Sequence, residues 1–268
     1  IIAWASTLLP AEWTSTPWHP LLACALFIVP GVPLINFVDD MLDNYIQVGI
    51  VRAVNTLLMV AAMAFGIAFA VKLCHIENFF PTISMVPHHQ YWEYAIAAAI
   101  SAMGFSMIFN IQRRLLWVVA IGGIIAVCTR NFVNLGPSTD NIGLDMGLVI
   151  GSFSGAVLVS LIAIKAVHWF HVPNHVLTIP SVIPMIPGVL MYRMLFGIIN
   201  INVQSIDQVT PLMKAIESGV NSGLVIMCIA LGVAIPNIFG RRFIASSKNK
   251  RLAELLKERK ARGKFVEW

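Results

Sequence analysis

The sequence predicts an all-α polytopic membrane protein: a helical bundle with an inverted-topology repeat and two Pro-Gly-broken transmembrane helices. Composition, the spacing of charges and a matched pair of interrupted apolar segments lead to this reading. Of the 268 residues, 58% are hydrophobic and 12% charged, against roughly 45–50% apolar and about 25% charged in an ordinary soluble domain. That balance argues against a water-soluble enzyme. Stretches without Asp, Glu, Lys or Arg cover 13–38, 53–71, 94–112, 146–164, 166–192 and 218–240, each nineteen residues or longer. At about 1.5 Å per helical residue, nineteen residues reach roughly 28 Å, the thickness of a bilayer's hydrocarbon layer.

Taken in order, residues 1–9 are apolar but too short to span. They have no basic region before them, and are expected to be the tail of a span, not a signal peptide, in a sequence cut from a longer chain or processed. Seven fuller segments follow, at about 19–38, 48–72, 91–110, 115–135, 144–167, 175–199 and 212–238. Short polar connectors separate most of them, including 134–141 with Gly136-Pro137. If the segments alternate, Arg52, Arg113, Arg114, Lys165, Arg241 and Arg242 fall on one face, which the positive-inside rule makes cytoplasmic; Lys72 and Lys214 fall near the other. The expected organisation is therefore 1–74, the later part of a first transmembrane repeat; 75–90, an extracytoplasmic linker; 91–240, a second repeat of five spans; and 241–268, a basic cytoplasmic tail.

The net charge of +5 is local. From Gly240 onward there are ten Lys/Arg and three Glu, leaving eight basic and ten acidic residues before it. A basic tail after a span fits a flank lying near anionic lipid heads, with Leu252, Leu255 and Leu256 on a weak amphipathic face, better than it fits nucleic-acid binding. Cys24, Cys74, Cys128 and Cys228 are scattered without a CxxC and read as small core residues. His88 with His89, and His168, His171 and His175 around Pro173, lack Cys or carboxylate partners at ligand spacing. No metal and no cofactor is expected.

The matched pair is the most informative feature. Val29-Pro30-Gly31-Val32-Pro33 interrupts the first full segment, and Ile186-Pro187-Gly188-Val189 the sixth, with Pro180 and Pro184 just before. The segments that follow also match: Val54-Asn55-Thr56 precedes Gly66 as Val220-Asn221-Ser222 precedes Gly232. The second break lies five segments on from the first, an odd offset, so the two broken segments are expected to run through the membrane in opposite senses, the architecture in which alternating access is common. Proline removes a donor and glycine permits a bend, so each break frees backbone groups that only protein or water can satisfy at that depth. Pro30, Gly31, Pro187 and Gly188 are thus candidates for lining a substrate site, with the half-helix ends turned toward an anion.

Other residues join them. Asn55 and Asn221 need partners inside apolar spans, either as interhelical glue or as substrate contacts. Lys214, Glu217, Asn221 and Ser222 recur at three- and four-residue spacing, which predicts one face looking into the bundle. Glu217 is either the proton-coupling carboxylate or an interfacial partner of Lys214. Arg130 and Arg193 either bind a substrate carboxylate or snorkel to the outer interface. Asp39, Asp40 and Asp43 are a gating cluster or a solvated helix end, and Gly147, Gly151 and Gly155 form a packing line. There is no HExxH, GxSxG, paired intramembrane Asp or P-loop, so no enzymatic activity is expected.

The run Phe27-Ile28-Val29-Pro30-Gly31-Val32-Pro33-Leu34-Ile35-Asn36, then Gly49-Ile50-Val51-Arg52, and later Ile183-Pro184-Met185-Ile186-Pro187-Gly188-Val189 with Tyr192, resembles the threonine/serine exporter family over about 20–240. The resemblance implies two five-span halves, of which this chain carries the end of the first and all of the second. It further implies a bacterial inner-membrane antiporter exporting small amino acids on the proton gradient, with dicarboxylates suggested for relatives split into two subunits. The implied partners are the small solute, a proton and membrane lipid, with a homo-oligomer or a second transporter subunit as the assemblies to consider. The residues alone reach a secondary transporter for a small polar, carboxylate-bearing solute. The competing reading is a non-transporting membrane subunit that needs a partner chain.

Overall fold

The computed structural model describes residues 30–73, 90–137, 142–170, 172–199 and 209–261. The 1–9 stretch, the front of the first apolar segment, Cys24, Cys74, His88, His89 and His171 lie outside them. Among the described residues eight helices follow in order: α1 (Gly31–Leu42), α2 (Ile46–Leu73), α3 (Tyr91–Ile108), α4 (Leu116–Asn134), α5 (Leu148–Phe170), α6 (Asn174–Val182), α7 (Gly188–Ile199) and α8 (Val209–Ala261). Single 3₁₀ turns, Arg113–Leu115 and Ile183–Met185, lead into α4 and follow α6. No strand occurs among the described residues.

Among the described residues four helical stretches, Ile46–Gly66, Arg113–Asn134, Leu148–Val167 and Leu212–Gly240, are long and apolar enough to cross a membrane. Asn174–Met185 and Gly188–Leu195 are apolar enough only when taken together, and are bent by 55° at the break, the geometry of a broken span or of a re-entrant loop. α3 coincides with the expected 91–110 segment, its apolarity diluted by Tyr91, Trp92, Glu93 and Tyr94 in the first turn. That turn is capped where the Gln90 N–H donates to the Glu93 carboxylate at 3.1 Å. α3 stops at Asn110, whose φ of 52° is a left-handed conformation asparagine tolerates. There the Ile111 N–H returns to the Ser106 carbonyl at 3.0 Å, closing the helix end.

Helices in lipid gain little from hiding apolar surface from one another, so their association depends on close fit and hydrogen bonds. α5 shows how the fit is made. A Cβ on Gly151 would stand 2.6 Å from the Arg130 carbonyl oxygen, and one on Gly155 would stand 2.5 Å from that of Ala126. Two glycines one turn apart thus bring the α5 and α4 backbones together. On the neighbouring face of α5, the Ser160 hydroxyl donates to the Val233 carbonyl of α8 at 2.9 Å.

α1 is too short to span. Its Ile35 and Val38 join Val127, Val159, Ile183, Met185, Ile229 and Val233 in one buried core, and α1 packs chiefly on α2 and α8. At its carboxyl end Asp40 accepts from Arg52 of α2 at 2.6 Å, and Asp39 Oδ2 stands 4.0 Å from His175 Nε2 of α6. Two of the three aspartates at this helix end therefore face basic groups of neighbouring helices. Away from the membrane span, α8 continues as helix to Ala261, through Leu252, Leu255 and Leu256.

Candidate functional site at the two Pro-Gly motifs

The second motif breaks its segment. After the 3₁₀ turn, Ile186 is extended at φ −62° and ψ 128°, and α7 restarts at Gly188. The Met191 N–H donates to the Pro187 carbonyl at 3.2 Å, the first bond of the new helix. Proline and glycine act together here. Pro187 precedes the new helix without an N–H that would need an acceptor, and Gly188 opens it in a buried position. The first motif also starts a helix, with Pro30 as the cap of α1 and the Leu34 N–H donating to its carbonyl at 3.2 Å.

The two motifs meet. A Cβ on Gly31 would stand 2.7 Å from Ile186 Cδ1 and 3.5 Å from Ile183 Cγ1, so the start of α1 lies against the chain just before α7. Arg130 reaches the same turn from α4. Its Nη1 donates to the Met185 carbonyl at 3.3 Å, while Nε and Nη2 both donate to Asn131 Oδ1 at 3.3 Å. Among the described residues its acceptors are thus one amide oxygen and one peptide carbonyl, both neutral. A guanidinium so placed is hydrogen-bonded but has its charge uncompensated by those partners, which suits it to an incoming anion.

Around this turn Asn131 is 5% exposed and Met185 fully buried. The hydroxyls of Ser152 and Ser222 are buried without a hydrogen-bond partner among the described residues. Ser152 stands beside Gly151, whose backbone touches the Arg130 carbonyl, and three residues before Gly155, where a Cβ would meet Met185 Sδ at 3.0 Å.

Residues 94–239 match the family described as Threonine/Serine exporter, ThrE, and residues 1–74 match a second description of a threonine/serine exporter. The chain belongs to the threonine/serine exporter family. No solved structure matches it. It is a multi-pass membrane protein of an exporter family.

In this exporter the structure brings together Pro30, Gly31, Arg130, Pro187 and Gly188. Arg193 stands partly buried on α7 beyond the break, next to the buried Tyr192. Asn55 lies on an exposed side of α2. The expectation that Lys214, Glu217, Asn221 and Ser222 share an inward face is corrected. Lys214, Glu217 and Asn221 are exposed on α8, and only Ser222, at 3% exposure, turns inward. At about 100° per residue, 214, 217 and 221 form one stripe, while 222 stands roughly a quarter-turn away, enough to face a different neighbour.

Asn131 and Ser152 were missed. Asn131 was legible only as a second polar residue beside Arg130 in an apolar run. Ser152 was masked by the glycine line, although Ser152, Ala156 and Ser160 recur at four-residue spacing and are all fully buried.

Proposed function

We propose that the exporter carries small hydroxy amino acids, threonine and serine, out of the cell by proton-coupled alternating access, with the solute held between the two Pro-Gly motifs. The observation that carries this reading is the single turn at which Gly31, Ile186, the Met185 carbonyl and Arg130 converge. The substrate carboxylate is assigned to Arg130 and the adjoining half-helix ends of α1 and α7, with Arg193 as the second cation on that side. The unpartnered Ser222 hydroxyl supplies a contact for the substrate's polar end. Binding a carboxylate here replaces weak neutral acceptors with a charge-assisted pair, which favours uptake without a covalent or metal step. Inverted repeats provide the two related conformations that alternating access needs.

Asn55, Asn221 and Glu217 are exposed on the surfaces of α2 and α8. Their roles as substrate contacts, and that of Glu217 as the coupling carboxylate, are proposals that flux measurements separate. The full chain is reconstituted in liposomes loaded with labelled threonine, serine or succinate, with and without a pH gradient. The reading expects gradient-dependent efflux of threonine and serine that is lost in Arg130→Ala. Efflux of succinate alone would move the assignment to dicarboxylates. No gradient-dependent flux of any of the three would overturn it and favour a subunit that works only with a partner chain.

A further inference from the structure

We infer that the cavity between the α3–α4 turn, α6 and the start of α1 is the chamber through which a small zwitterionic solute reaches the Pro-Gly motifs from the face carrying Arg113 and Arg114, and that Ile183 and Ile186 on Gly31 form its floor. This rests on the transport reading above.

The cavity holds about 440 Å³, within the range of roughly 300–1,000 Å³ typical of small-molecule sites. Asn110, Gln112 and His175 supply its polar edge, and Val32, Ile179 and Pro180 line it toward the motifs. The direction follows from helical spacing. His175, Ile179 and Ile183 lie on one side of the same helical stretch, one turn apart, and each turn advances about 5.4 Å. His175 and Ile179 line the cavity, and Ile183, the next step, packs on Gly31. Val32, the residue after Gly31, closes the same path from α1.

Two of the polar edge residues meet charged side chains that stand behind the lining. Arg114 Nε donates to Gln112 Oε1 at 2.7 Å, and Asp39 Oδ2 lies 4.0 Å from His175 Nε2. An edge backed by a guanidinium at Gln112 and a carboxylate at His175 suits an ammonium and a carboxylate on one molecule better than it suits a net anion. Past the edge, Val176, Ile179 and Leu115 make the walls apolar, so a polar solute is not held there tightly and passes on. The floor consists of two aliphatic side-chain ends against one glycine. Their rotation opens a path toward the Met185 carbonyl and Arg130 more readily than a backbone movement does.

The test uses the full chain with its four native cysteines replaced and single cysteines installed as Val176→Cys or Ile179→Cys, with Ile142→Cys as the control at the opposite membrane face. A charged, membrane-impermeant thiol reagent is applied to right-side-out and to inside-out vesicles. The chamber predicts that Val176→Cys and Ile179→Cys react only in inside-out vesicles, that threonine slows the reaction at Ile179→Cys, and that the modified Ile179→Cys protein loses tenfold or more of its flux. Reaction from the opposite face, no reaction from either, or full modification with flux unchanged would overturn the inference. An unmodified parent without flux would instead sink the transport reading, and the sidedness of labelling would still decide where the chamber opens. Val176→Ala and Ile179→Ala, which reshape the wall without a thiol, separate a folding failure from a blocked path.

Discussion

Arg130 Nη1 donates to the carbonyl oxygen of Met185 across 3.3 Å, joining the carboxyl-terminal half of α4 to the turn where α6 gives way to α7. The bond ties a charge to the backbone group that the break exposes, so it serves the fold and the substrate reading together. Replacing Arg130 with Ala leaves that carbonyl unpaired at a cost of about 1–3 kcal/mol. Arg130→Lys keeps the charge but loses the planar fork. We expect Arg130→Ala to abolish efflux and Arg130→Lys to retain at most a tenth of it, with the lysine variant still monodisperse in detergent. Wild-type flux in Arg130→Ala would remove the residue from the site.

The glycines of α5 offer a test of packing alone. At Gly151 and Gly155 a methyl group would press on the carbonyl oxygens of Arg130 and Ala126, which belong to backbone and cannot rotate away. Overpacking of this kind costs about 1–3 kcal/mol. Gly66 and Gly104 have no atom within 4 Å of an added Cβ, and an alanine in such a helix position gains roughly 0.5–1 kcal/mol. Thermal unfolding in detergent is expected to show Gly151→Ala and Gly155→Ala lowered in Tm, with Gly66→Ala and Gly104→Ala unchanged or raised.

A buried amide pair fastens α6 to α8. Asn174 Nδ2 donates to Asn237 Oδ1 at 2.8 Å, with the two residues 8% and 5% exposed. Removing one partner strands the other, at about 1–3 kcal/mol. Asn174→Ala and Asn237→Ala are each expected to destabilise by that amount, and the double variant by clearly less than their sum. Strict additivity in a double-mutant cycle would mean that the pair contributes nothing.

The Asp40–Arg52 pair should behave differently. It is 2.6 Å long, but the two side chains are 22% and 47% exposed. Exposed pairs contribute about 0–1 kcal/mol and weaken with salt. Asp40→Asn is therefore expected to shift stability by less than about 1 kcal/mol, with the difference shrinking as ionic strength rises. A larger, salt-independent loss would give this contact a structural weight that its exposure does not predict.

Much of the fold was legible because lipid imposes simple demands. Charge-free stretches near nineteen residues located the long helices, and proline beside glycine located the bend before α7. The left-handed turn at Asn110 was less visible, since the same residue type serves equally as a loop or a partner. At the site, Arg130 and the Pro-Gly pairs stood out as polar or donor-poor features within apolar runs. The direction each polar side chain takes was not available in the same way. Asn221 and Ser222 are neighbours in sequence, yet one is exposed and the other buried.

By itself the sequence determined that the chain is a membrane-embedded helical protein, where its long helices lie, and that a Pro-Gly pair stands at the bend before α7. Only the tertiary structure decided that Gly31 sits on Ile186, that Arg130 reaches Met185, and that Asn55, Asn221 and Glu217 turn outward while Ser222 turns in. The reason is physical. In water the apolar side of a helix marks the interior, but lipid and bundle core are both apolar, so hydropathy cannot tell one from the other, and the inward face is chosen by the fit of side chains on neighbouring helices.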